Sequence, residues 1–364
     1  MAQFSDKDLR SFDTIRHRAE KLHDLNHPDQ IVDLRTCRFM RSGRIYVPGR
    51  GWLETNQHSL KQLAQRLGIK WETWFMTEKH AITDEEVQEE IQRRLSRDTS
   101  THMLIRSRRH EKAKADSDGI IRAFLSPSYE AIDDVRVLER MQAALGDRTK
   151  EIRFWKKRTG ETDWGSHYTA VLGEAQTFGT GGDGPVMATP GRDGDVMYAG
   201  FKMRNSEVGC HALTLDEFWL RLVCLNGLMA QVDNQRMLYR THRAISNNDL
   251  DSKLVVSFRN LPERHARQKE RFEQLLKIVY ADHGEAKRVL TRFMTQRRMP
   301  QRLIDTAVGN YDFSTHDTGE GDDGQANGYW VLNALTRTAR DMEPEERHEL
   351  ELSAGDFLMH AKAA

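Results

Sequence analysis

Val196 to Met229, VMYAGFKMRNSEVGCHALTLDEFWLRLVCLNGLM, sets a short alternating run, a polar hinge and an almost wholly apolar run end to end. Val196, Tyr198 and Phe201 alternate imperfectly with small or charged positions, after which Lys202 and Arg204 lead into Asn205, Ser206, Glu207 and Gly209. That pattern predicts a strand closing in a tight turn. Thr214, followed three residues later by Glu217, has the spacing at which two side chains satisfy each other's orphaned backbone donors at a helix start. A helix is therefore expected from about Leu215. Phe218, Leu222, Leu225 and Met229 mark one face, and Trp219, Leu220, Val223 and Cys224 cover most of the rest, so the predicted helix is buried on nearly all sides.

Outward from this centre, LIRSR and IIRAFLS read as the strands of a hairpin with a charged tip. EIRFWKKRTGE and HYTAVLGEA are further strands. SLKQLAQRLGI is an amphipathic helix, Asp84 caps another, and Asp133 or Asp134 caps a third that Gly146 stops. FGTGGDGPVMATPGRDGD is a loop whose glycines lack the Gly-Lys-Ser/Thr of a phosphate cradle. Beyond about residue 260 the chain is helical, with Pro344 opening the last helix. The predicted fold is α+β: a central, mostly antiparallel sheet packed on the long buried helix, between helical N- and C-terminal portions. The divisions fall at 1–100, 101–260 and 261–364.

With 364 residues, 38% of them hydrophobic, a sizeable core is within reach and wholesale disorder is not expected. LVCLNGLMA is too short to span a bilayer, and MAQFSDKDLR lacks the apolar centre of a secretory signal. The expectation is a cytoplasmic protein of a bacterial host, without membrane contact. Cys37, Cys210 and Cys224 form no CxxC pair and are read as reduced. Net charge is zero but unevenly spread: Glu263 to Arg302 holds eleven Lys or Arg against five acids, and Tyr311 to Ala364 four against twelve. A basic stretch precedes an acidic end.

Catalytic constellations are incomplete. Ser206 lacks an evident base, Glu285 and Lys287 lack the strand acid of a two-metal nuclease, and Cys210 with His211 point apart on a strand while Cys224 sits in the apolar run. No catalytic residue, metal or cofactor is assigned. RFWKKR, in contrast, interleaves cations with aromatics, which suits single-stranded nucleic acid: cations displace counterions from phosphate and rings stack on bases for about 1–3 kcal/mol each. Arg153, Trp155, Lys156, Lys157, Arg158, Lys202 and Arg204 are the expected contacts, with Arg122 and Tyr129 as neighbours on the sheet.

Five phrases in order, SLKQLAQRLGI, FLSPSYEAIDD, NSEVGCHALTL, LVCLNGLM and WVLNALTRTA, resemble the phage and plasmid protein family called domain of unknown function 932. The family often has Thr where Leu225 stands, and the first fifty residues and the stretch from 178 to 195 match nothing in it. The resemblance implies a mobile-element accessory protein, and its strand and helix outline is similar to that of the single-strand annealing proteins phages carry for recombination. The expected function is accordingly single-stranded DNA binding and annealing, by a homo-oligomer that is not an enzyme. The alternative is an accessory protein that binds and modulates a host protein through its acidic end.

Overall fold

A computed structural model describes residues 6–71, 82–98, 100–162, 165–172, 176–178, 195–221, 226–229, 237–242, 247–316, 326–340 and 342–361. After strand β1 (Leu9–Ser11), helix α1 (Phe12–Asp24) is capped by the Ser11 side chain. A first sheet is then built from β2 (Gln30–Asp33), β3 (Arg38–Phe39), β4 (Ile45–Val47) and β5 (Gly51–Thr55). Helices α2 (Gln57–Leu67) and α3 (Asp84–Leu95) follow, before β6 (His102–Arg108) and β7 (Gly119–Leu125) complete the sheet in the order β2-β6-β7-β5-β4-β3. β6 and β7 pair antiparallel, as the hairpin reading expects, while β5 and β7 run parallel. This sheet joins residues on both sides of position 100.

Both helices carry reciprocal caps: Asn56 with Ser59 at α2, and Thr83 with Glu86 at α3, one residue before the expected Asp84. Their apolar stripes, Leu63, Ala64 and Leu67 and then Val87, Ile91 and Leu95, close a core on Leu34, Ile45, Leu53 and Ile121.

Helix α4 (Asp134–Leu145) leads into the second sheet: β8 (Ile152–Trp155), β9 (Gly160–Thr162), β10 (Gly165–Leu172), β11 (Gln176–Phe178), β12 (Asp195–Asn205), β13 (Leu213–Arg221), β14 (Asn226–Met229) and β15 (Leu238–Arg240). Its spine is β1-β8-β10-β12-β13-β14, antiparallel throughout. The expected helix from Leu215 to Met229 is thus corrected. Leu213–Arg221 is a strand in register with β12, and Asn226 and Gly227, inside the expected helix, lie in its neighbour β14.

The reason is physical. Both faces of β13 are covered, Leu215 and Trp219 on one and Phe218 on the other, and a strand buried on both faces reads as a continuous apolar run with no period to separate it from a buried helix. The Thr214 and Glu217 spacing is coincidental: Glu217 is ion-paired to Arg264. Residues 222–225, with Cys224, and the glycine-rich 179–194 lie outside the described residues.

The C-terminal third comprises α5 (Asn247–Leu276), α6 (His283–Gln296), α7 (Gln301–His316), α8 (Gly328–Arg340) and α9 (Pro344–His360). Position 260 falls inside α5. The nearly all-round buried helix of the fold is α8, wrapped by α6, α7 and α9. Among the described residues no helix is long and apolar enough to cross a membrane.

Candidate functional site

Register decides which predicted contacts share a face. Phe154 pairs with Ala170 and Ala170 with Phe201, while Val171 pairs with Arg153 and Thr169 with Lys202. Because side chains alternate along a strand, Arg153, Trp155, Lys202 and Arg204 do lie on one face of the second sheet. That face is not open.

Helix α9 lies over it and inserts Glu351, which is fully buried. Its Oε1 accepts from Arg158 Nη1 at 2.6 Å and its Oε2 from Lys202 Nζ at 2.8 Å. Trp155 is 4% exposed, with the Arg158 guanidinium 4.5 Å from its ring centroid. Two cations share one carboxylate in a dry site. Burial outweighs the shared partner for each cation and lowers the pKa of Lys202 and of Arg158, whereas Glu351, opposed by burial but faced by both, is held below the usual carboxylate range. Of the predicted track only Arg153, Lys156 and Lys157 are exposed, within and just after β8, and the Arg153 guanidinium turns back onto the Lys150 and Ile152 carbonyls. Arg204 is half-buried. The expectation of one accessible cationic and aromatic groove is corrected, since the acidic C-terminal helix occupies it.

Arg122 and Tyr129 belong to a different place, the seam between the two sheets. Arg122 donates to Glu207 Oε2 and to Glu161 Oε1, both at 2.7 Å. Arg108 grips the same Glu161, and Arg106 donates to Asp29, Asp133 and the Glu207 carbonyl. Glu207 Oε1 in turn accepts from the Asp134 backbone at 2.9 Å, at the start of α4. Asp134 accepts from Tyr168 Oη and Asn205 Nδ2. Burial first, then the Glu207 charge, raises the pKa of Asp134; Glu207 is driven the other way, because Arg122 and Arg106 more than offset its burial. The Asn205-Ser206-Glu207 hinge is therefore a clasp between sheets. Ser206 Oγ accepts from the Cys210 backbone and its carbonyl from Tyr129 Oη, so both of its oxygens serve the turn.

Beside the clasp lies a cavity of about 440 Å³, lined among others by Ser126, Ser128, Tyr129, His211, Tyr239 and His242. Gly209 turns the chain at its edge with φ +82°, and a Cβ there would meet Leu125 at 2.7 Å. The Tyr129 and His242 rings stack, 5.2 Å apart and 12° from parallel. His211 Nε2 donates to the Asn205 carbonyl (3.1 Å), and burial drops the pKa of the ring to about 3. Tyr239, on strand β15, is 59% exposed. Sequence reasoning missed Tyr239 and His242: LYRTH carries no spacing that marks a site, and only the pairing of β15 with β13 brings it to the FLSPSY and NSEVGCH loops.

Cys210 is exposed, with its Sγ 3.3 Å from His58 Nε2, whereas burial pushes the Cys37 thiol up to about 12. Native protein is expected to alkylate at Cys210 and not at Cys37 when treated with iodoacetamide near neutral pH. Peptide mass mapping reads this, and labelling of Cys37 before denaturation would contradict the burial. Among the described residues, no three His, Cys, Asp or Glu side chains are grouped to hold a metal.

Compared with protein-family models, curated proteins and solved structures, the chain matches none.

Proposed function

We propose that the protein binds single-stranded nucleic acid, DNA in the first instance, and assists strand annealing, with its phosphate contacts on the C-terminal helices and not on the central sheet. One observation carries the reading. Arg288 and Arg292 on α6, Arg298 in the following turn and Arg302 at the start of α7 are all exposed, and none forms an ion pair with another described residue. Arg288 and Arg292 stand one helical turn apart, about 6 Å along the axis. Nearby cations are already spent: Lys287 pairs with Asp312, and Arg297 pairs with Asp356 at 3.1 Å while lying over the Phe293 ring. Solvated arginines without acids are suited to phosphate, whose counterions they displace. The resemblance to a phage and plasmid family supplies the setting of single strands, and assembly into a ring or filament belongs to the same proposal. Exposed Glu343, Glu346 and Glu349, spaced by three from the N-cap of α9 onward, favour a second reading, docking to a basic partner protein.

Salt separates the two. Four phosphate contacts on a single strand give a slope of log K against log salt of about −2.8, and Arg288→Gln with Arg292→Gln should flatten it to about −1.4. Fluorescence anisotropy with a labelled oligonucleotide, titrated from low to moderate salt, measures both. Weak binding that ignores salt, or an unaltered slope in the double variant, removes the nucleic-acid reading.

A further inference from the structure

The cavity at the sheet seam has the chemistry of a ring-binding site. Its walls include a stacked Tyr129 and His242 pair and the exposed Tyr239, so flat apolar surface is available to a planar guest. Hydrogen-bonding groups stand among the rings: the Ser126 and Ser128 hydroxyls, bonded to each other at 2.9 Å, and the two histidines. His242 is 6% exposed, and among the described residues neither of its ring nitrogens meets a partner in hydrogen-bond geometry, although the Glu130 and His211 backbones lie near enough to favour its charged form. A buried imidazole left so placed forfeits hydrogen bonds that a guest can restore. Burial leads the causes that hold both histidines toward neutrality, and among the described residues no Lys or Arg lines the cavity. An anion therefore finds no cationic side chain in that lining. A neutral ring with donors and acceptors on its edge does find partners, and the volume lies within the range of small-molecule sites.

We propose that this cavity takes one nucleobase, stacked on Tyr239 and hydrogen-bonded along its edge by His242 and Ser128. The choice of a base among heteroaromatic rings rests on the proposed binding of nucleic acid; the cavity itself does not. Every base has a stacking face, and an unpaired one leaves its edge free, so the site selects single strands over duplex.

The test uses the full chain and 2-aminopurine riboside, whose fluorescence is quenched by stacking. Saturable quenching is expected in the wild type, weakened about tenfold or more in Tyr239→Ala and kept within about twofold in Tyr239→Phe. His242→Gln should weaken binding without abolishing the quench at saturation. Absence of quenching, or equal affinity in Tyr239→Ala, overturns the proposal, and so does competition by phenol as strong as by adenosine. The Arg288→Gln and Arg292→Gln variant should bind the riboside like the wild type. Riboside binding without salt-sensitive oligonucleotide binding would defeat the arginine surface and leave the cavity; the reverse would defeat the cavity alone.

Discussion

Glu351→Ala is expected to cost about 3–5 kcal/mol of folding stability, the penalty for stranding buried charge. Two cations lose their partner at once: Arg158 and Lys202, 6% and 4% exposed at their side chains, have Glu351 between them. A protein stable by about 5–15 kcal/mol loses a large part of that margin, which urea unfolding at neutral pH would register as a lower midpoint with an unchanged slope. The charge, not the packing, is the cause, so Glu351→Gln should lose nearly as much, while Glu351→Leu combined with Arg158→Met and Lys202→Met should recover most of the loss. Acid gives an independent check. The folded pKa of Glu351 lies below its unfolded value, so its contribution is complete above the ordinary carboxylate range and fades as pH falls below it. Wild type and Glu351→Gln should accordingly converge in acid. A constant gap between them down to acid unfolding would mean that the ion triad is not the source.

The same triad explains why the central sheet misleads a sequence reader. A lysine on a strand has the same spelling whether it faces phosphate or a carboxylate 149 residues away, which is the separation of Lys202 from Glu351. Arg122 finds its partners 39 and 85 residues on. Alternation correctly places Arg153, Trp155 and Lys202 on one face, but it carries no information about what lies over that face. Local signals fare better where local physics suffices. The β6 and β7 hairpin, the stripe of α2 and the proline opening α9 all depend on near neighbours, and all are legible. Leu213–Arg221 is not, because its second covered face removes the alternation that distinguishes a strand.

Burial also changes what the acidic end can do. Leu350, Ala354, Phe357 and Leu358 of α9 are core residues beside α8, so this helix is an integral wall of the fold and not a detachable shield. Removing residues after 342 should unfold the C-terminal third rather than bare the sheet for a strand.

Glu207→Gln should produce the second large effect, about 2–4 kcal/mol, by a different route. Its carboxylate holds Arg122 at 2.7 Å and the Asp134 amide at 2.9 Å, joining the first sheet to the start of α4. An amide of the same shape can accept one of these bonds but cannot neutralise Arg122, for which Glu161 alone remains among the described acids. Hydrogen exchange should accelerate at the Asp134 amide before the protein unfolds globally, because the clasp opens locally. The pH dependence carries the opposite sign to that of Glu351. The folded pKa of Asp134 is raised, so stability is greatest while the group is protonated and declines as pH climbs from the ordinary carboxylate range through the raised value. Removing the Glu207 charge deletes one of the two causes of that rise and leaves burial. The decline from mildly acidic to neutral pH should then be shallower in Glu207→Gln than in the wild type. Parallel stability curves would show that the two carboxyls do not feel each other across the seam, and that the clasp is held by its arginines alone.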